Sequence, residues 1–434
     1  MGRGARWLKR FAAEPAAPGA RVTPLELFYD LVFVFAFLNV TDVTAEELAP
    51  AALLRSLLVL TLLWFSWVTF VTLGNAVRAD IGIMPLVGFA TMVPIFVLAV
   101  TIPEAFGDEP PGQAGPIVFA LCYLLVRGLQ VLASWYIIRA KPGLRRRWLL
   151  LALPVQISTA LLLVAATVPQ LLFHGNAEFG VRVGLWVLAI AVEYYLSALV
   201  RIEGLNIVSV RHWAERYGQI ILIALGESII SLGAGLDLHA GVLLTWPIIG
   251  VAVLGIGTIA TIWWTYFDTL ALAAEQALRR ARGAARIKLA RDAYSFLHLP
   301  MVAGIILFAL GLRRLLAAIS EAGGVDVTIS AINVYALYGG VILYSLAHLG
   351  FQLRTVGTVD RYHVAHVLLL MALVPVVERL PALAALALVA LVTVVLVALW
   401  NTHIRETRSE VRRQALEERR ALEAEEAESR SRNM

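Results

Sequence analysis

Apolar residues in this chain do not alternate with polar ones. They gather in long runs broken by short charged stretches. Runs of about twenty such residues are what an α-helix needs to cross the ~30 Å hydrocarbon layer of a bilayer. Twelve spans are predicted, roughly at 24–43, 51–73, 81–102, 116–138, 148–168, 181–200, 216–236, 243–267, 293–312, 330–352, 362–380 and 382–402. The first is the best punctuated. Thr23 is a natural N-cap, Pro24 sits at the first helical position, and Glu26 falls three residues after the cap. Asp30 lies one turn beyond Glu26 on the same face, ahead of the run LVFVFAF. A carboxylate at that depth is costly in lipid, so it must face other helices or water.

The spans fall into an internal repeat. ELFYDLVFVFAF, opening at Glu26, aligns with ERYGQIILIALGES, opening at Glu215, so that Phe28 matches Tyr217 and Asn39 matches Ser228. WFSWVTF at 64–70 then aligns with WWTYFDT at 263–269, and FALCY at 119–123 with YALYG at 335–339. Six spans per repeat bring both halves in from the same side, as parallel repeats about an axis along the membrane normal. The expected fold is an all-α polytopic bundle. Its divisions are a basic arm (1–22), a first six-helix repeat (23–200), a connector (201–215), a second six-helix repeat (216–402) and a charged tail (403–434).

Composition agrees: 60% of residues are hydrophobic and only 15% are charged, with a mean hydropathy of +0.79, which excludes an ordinary soluble domain. The basic excess has to be read by location. Most Lys and Arg residues cluster in the arm, near 139–147, 201–216, 279–291 and 354–361, and in the tail. By the positive-inside rule these segments, and both termini, face the cytoplasm, with Arg313 and Arg314 pulling weakly the other way. The outer loops are acidic by contrast, with Glu46, Glu47, Glu104, Asp108 and Glu109. A pI near 9.4 is therefore topology, and no nucleic-acid partner is expected. The single cysteine, Cys122, lies in an apolar run and reads as packing. The arm lacks the apolar core of a cleavable signal peptide. The Arg- and Glu-rich tail reads as a solvated, partly frayed helix or a weak coiled-coil contact.

Several residues could carry chemistry. Glu227 lies about 18 Å along its span from Glu215, near the expected midplane, within LGESIISLGAG. Gly226, Ser228, Ser231 and Gly233 there suit an interrupted helix of the kind that builds transporter sites, or simply close packing. Arg127 and Glu193 share a depth and are expected to pair, structurally or on a substrate or proton path. Tyr194 and Tyr195 could extend that network. Glu26 fits capping, Asp30 fits a functional role, and Asp80 and Asp268 sit at span ends where a nearby arginine would satisfy them. His363 and His366, three residues apart without an acid motif, give only a weak metal signal. No metal site or cofactor is expected, and no phosphate loop, nucleophile elbow or metalloprotease motif is present.

LELFYDLVFVFA at 25–36, WFSWVTFVTLGNAVRAD at 64–80 and HWAERYGQIILIALGES at 212–228 resemble the low temperature requirement protein A family of bacterial membrane proteins. The resemblance spans about 21–402. Its signature falls on Glu26, Phe28, Asp30, Asn75, Asp80, His212, Glu215, Arg216, Gly226 and Glu227, with Tyr29 where the family has Phe. It implies a bacterial inner-membrane location and a role in growth in the cold, not a reaction. Two function classes follow. One is a proton- or ion-coupled secondary transporter for a small solute or ion, with a midplane site between the halves built on Asp30, Glu227, Glu193, Arg127 and Tyr194. The other is a membrane-embedded enzyme or envelope factor acting on lipids, which would draw on Asp268, Asp292, His298, Asp360 and His363.

Overall fold

The computed structural model describes residues 13–46, 48–106, 114–139, 142–199, 207–234, 245–322, 327–328, 330–403 and parts of 408–421. Its secondary structure is helical, apart from two isolated bridges, Pro15 with Val77 and Thr328 with Pro381. Nine helices among the described residues are long and apolar enough to cross a membrane, and two shorter apolar helices have 17 residues each. The expectation of twelve spans is thus met in part. Asp108 and Glu109 of the acidic loop, and much of the connector and tail, lie outside the described residues.

The chain divides into two compact units, Met1–Glu227 and Ser228–Met434. The first carries α1 (Pro24–Glu46), α2 (Pro50–Ala76), α3 (Met84–Val100), α4 (Ala114–Ile138), α5 (Pro142–Thr167), α6 (Asn176–Leu199) and most of α7 (Val210–Ala234). Thr23 and Glu26 form the expected capping box. The Thr23 backbone N–H and hydroxyl each donate to Glu26 Oε2 at 2.9 Å, and the Glu26 N–H returns to Thr23 Oγ1 at 3.4 Å. Proline in the first turn opens α2 and α3, where its missing N–H costs nothing. α1 packs on α2 and α3, α3 on α4, α4 on α5, and α5 on α6. The last residues of the arm are docked. Ala16 donates its N–H to Ala76 O, Arg78 donates its N–H to Glu14 O, and the Ser209 hydroxyl donates to Ala20 O at 2.8 Å.

The second unit carries α8 (Trp246–Thr265), a π-helical segment at Tyr266–Leu270, α9 (Ala271–Arg280), α10 (Gly283–Leu289), a second π-helical segment at Ala290–Phe296, α11 (His298–Ala322), α12 (Ala331–Val356), α13 (Arg361–Val377) and α14 (Ala382–His403). A π-segment inserts an extra residue per turn and frees carbonyls from the α-helical ladder. Histidine side chains reach a carbonyl at each of the two segments: His348 Nε2 lies 3.1 Å from Thr265 O, and His298 Nδ1 lies 3.2 Å from Ala293 O. The tightest helix pair is α11 with α12, and glycine makes it possible. A Cβ on Gly304 would stand 2.6 Å from the Tyr344 nitrogen and 2.7 Å from Gly340 O. Backbones that close gain dispersion that bulkier residues would forbid, and dispersion is what joins helices in lipid. Outward faces stay apolar: Leu31, Val93, Val253 and Leu368 are each more than half exposed. On a water-soluble protein that would be a liability; against acyl chains it is a match.

Candidate functional site

The first unit buries two polar constellations. The larger joins the start of α1 to the start of α7. Arg216, wholly buried, reaches Asp30 with both ends of its guanidinium, Nη1 to Oδ2 at 2.6 Å and Nη2 to Oδ1 at 2.9 Å. Such bidentate pairing is the strongest contact an arginine makes with a carboxylate. Trp67 of α2 donates its indole N–H to Asp30 Oδ1 at 3.0 Å, and Arg216 Nη1 also donates to Glu26 O at 3.2 Å.

One turn before Arg216, His212 holds the other acid. Its Nε2 lies 2.7 Å from Glu26 Oε1, and Arg216 Nε lies 4.0 Å from the same oxygen. The tautomer follows from Asn75. Asn75 Oδ1 accepts the Val208 N–H at 2.8 Å, which fixes the amide's orientation and turns its NH2 toward Ser209 O (2.6 Å) and His212 Nδ1 (3.2 Å). Nδ1 therefore accepts, and in a neutral ring Nε2 carries the proton offered to Glu26. Gly74 gives Glu26 its place, because a Cβ there would collide with the carboxylate. Tyr29 stacks on Phe70 at 3.7 Å between centroids, and Tyr217 meets Trp64 and Trp67 edge-on, closing the cluster with aromatic walls.

The second constellation is the Arg127–Glu193 pair. Arg127 Nη2 donates to Glu193 Oε1, and Nη1 donates to Thr69 Oγ1 and to Gln130 Oε1. The Tyr123 hydroxyl donates to Glu193 Oε2 at 2.6 Å. Tyr194 instead turns its ring edge to Phe65, and Tyr195 is exposed. A hydroxyl for Glu193 comes from Tyr123 on α4, a helix the sequence did not single out for it.

Glu227 is buried with Ser228 and Ser231, on α7. It stands eleven residues past Arg216, roughly 16 Å along the helix, so it does not share a constellation with Asp30. α7 runs unbroken through Gly226, so of the two readings of this stretch the interruption is not seen within Val210–Ala234. Arg216, counted in the basic excess of the chain, is a buried partner of Asp30. Glu215, its neighbour, is partly exposed and pairs with Arg211 at 2.8 Å. Asp80 pairs with exposed Arg78 at 2.9 Å. Asp268, buried in the first π-segment, accepts from Arg408 (2.7 Å) and Arg412 of the tail. Asp292 binds Arg291 and Arg354, Asp360 caps α13, and His298 meets Tyr266, so these groups are engaged separately.

Sequence periodicity placed Glu26 and Asp30 on one face but gave neither a partner on another helix. His212 and Arg216, one turn apart on α7, carry the same spacing as Glu26 and Asp30 on α1. That match of i, i+4 acids to i, i+4 bases was the available signal.

Residues 21–398 of this chain of apolar helices match a family description: Bacterial low temperature requirement A protein (LtrA). The chain belongs to the LtrA family. It is also similar to a Rhizobium meliloti (strain 1021) protein, Uncharacterized protein RA0937, with 27% identity over 300 residues, or 66% of this chain and 67% of that protein. No solved structure matches it. This LtrA-family protein is thus a bacterial membrane-family protein with the Glu26–Asp30–His212–Arg216 cluster at the heart of its first unit.

Proposed function

We propose that this LtrA-family protein is a proton-coupled secondary transporter for a small solute or ion. In this reading it has twelve spans in two parallel six-helix repeats, and both termini lie on the cytoplasmic side of the inner membrane. Charge balance carries the reading. Glu26 and Asp30 are two buried carboxylates; among the described residues bonded to them, Arg216 is the one fixed cation and His212 is titratable. With His212 neutral the cluster is one positive charge short, and a single proton on the His212–Glu26 contact neutralises it. Buried charge in lipid is costly enough that such an imbalance makes proton gain and loss a large event for the surrounding helices. The Arg127–Glu193 pair is already balanced and reads as a fixed staple. Glu227, on the same helix as His212, is a second candidate for the proton's route.

The test is uptake by purified protein in liposomes that hold a pH-sensitive dye and face a panel of small solutes and ions across an imposed pH gradient. Glu26→Gln keeps the side chain's shape and removes its titration; His212→Gln removes the other partner. Both should reduce pH-driven uptake at least tenfold while the protein stays folded. Uptake that ignores the pH gradient, or that survives both substitutions, rejects proton coupling through this cluster.

A further inference from the structure

The second unit contains a chamber that the Glu26 cluster does not use. It lies among α8, α12, α13 and α14, and its polar lining includes Thr265, Tyr344, His348, His363, His366 and Thr393. None of its lining residues is a carboxylate, lysine or arginine. All three histidines are at least 96% buried. His348 and His363 stack with centroids 4.9 Å apart and planes 20° from parallel, and Trp400 closes on His363 edge-on at 5.1 Å. The free space between these groups, about 10 Å³ for the centre of a water-sized sphere, has room for about one water molecule.

Hydrogen bonding around the chamber is lopsided. Three of the four lining hydroxyls are occupied: Thr265 donates to Ile262 O, Tyr344 reaches Thr265 Oγ1 and Ile262 O, and Thr393 donates to Val389 O, with Ser345 the fourth. His348 Nε2 donates to Thr265 O, at the junction of α8 with its π-segment, which leaves Nδ1 as a bare acceptor. That Nδ1, both nitrogens of His363 and both nitrogens of His366 meet no hydrogen-bonding group among the described residues. A buried polar atom left so costs about 1–3 kcal/mol, and five around one small cavity exceed what packing alone would retain.

The lining also limits the guest. No three His, Cys, Asp or Glu side chains among the described residues converge as a metal cage requires. A free cation would meet no carboxylate in the lining, and an anion would meet no cationic side chain. Three neutral imidazoles supply both donors and acceptors, which suits an uncharged molecule able to do both. We propose that His348, His363 and His366 form a buried binding site for one water-sized, uncharged hydrogen-bonding molecule, water itself being the expected guest. About three hydrogen bonds, the usual number for a buried water, would then run to His348 Nδ1 and to one nitrogen each of His363 and His366. The guest would link the three rings into one unit that continues through Thr265 and Tyr344. The proposal concerns the second unit alone and stands apart from the transport reading.

The full-length protein, carrying 15N at its eight histidines and reconstituted in lipid bilayers, is the material for the test. Water-to-imidazole magnetisation transfer is read by solid-state NMR, with rings assigned through single His→Gln variants. His348, His363 and His366 should each show one protonated and one bare ring nitrogen and receive magnetisation from a slowly exchanging water. His298 is the internal control. Its ring nitrogens are engaged by Tyr266 and Ala293, so it should receive none. Thr393→Leu, which fills the chamber, should abolish all three transfers and leave the His298 signals in place. If that variant does not fold, the wild-type spectrum decides. Dry rings in the wild type overturn the proposal. So do ring nitrogens displaced by a stoichiometric metal in the purified protein, which would replace it with a metal centre.

Discussion

Replacing Arg127 with Met tests whether the α4–α6 contact is a fixed staple. Arg127 is 6% exposed and Glu193 0%. The substitution keeps much of the side chain's volume but strands the Glu193 carboxylate, whose other bond is the 2.6 Å contact from Tyr123. Breaking a buried pair from one side costs about 3–5 kcal/mol. Thr69 and Gln130 also lose their shared donor, adding roughly 1 kcal/mol each at most. Arg127→Met should therefore destabilise by about 4 kcal/mol, a shift of roughly a thousandfold in the folded-to-unfolded ratio. Removing both charges with Arg127→Met and Glu193→Met leaves an apolar contact of similar size, which is often neutral. The double variant still lacks the bonds to Thr69, Gln130 and Tyr123, so it should fall within about 3 kcal/mol of the parent, and because each single change should cost about 3–5 kcal/mol the coupling energy should be at least ~2 kcal/mol. Reversible unfolding in mixed micelles, followed by tryptophan fluorescence, gives these numbers. Losses that simply add would show that the two side chains act independently and refute the staple.

Three further outcomes follow from the same contacts. Asn75→Leu removes the group that orients His212 and satisfies the Val208 N–H; it should cost about 1–3 kcal/mol and produce a mixture of His212 tautomers by 15N NMR. Gly304→Ala drives a methyl into the Tyr344 backbone and should destabilise the α11–α12 pair by about 1–3 kcal/mol in the same unfolding assay; a neutral result would mean the two backbones are not held this close. Asp268→Asn weakens the grip on Arg408 and Arg412 and should speed tryptic cleavage of the tail severalfold, whereas unchanged cleavage would leave that anchor without effect.

The sequence by itself determined what is local and what the solvent imposes. Its apolar runs specify helices suited to lipid, Thr23 and Glu26 specify the cap of α1, and a shared depth singles out Arg127 and Glu193. Helical periodicity places a residue on a face and at a height, and nothing more. Which face meets which neighbour is a property of the assembled helices. Tertiary packing therefore decided that Arg216, which reads as one more positive charge at a membrane edge, is a wholly buried partner of Asp30. It decided that Tyr123 serves Glu193, and that His348 joins His363 and His366 across two helices. It also decided how α7 carries Glu227, because a glycine and serines permit a break in a helix without requiring one, and α7 continues straight through them. Each of these rests on side chains far apart in sequence brought to hydrogen-bonding or van der Waals distance, where burial makes an unmet charge or polar atom costly and so selects its partner.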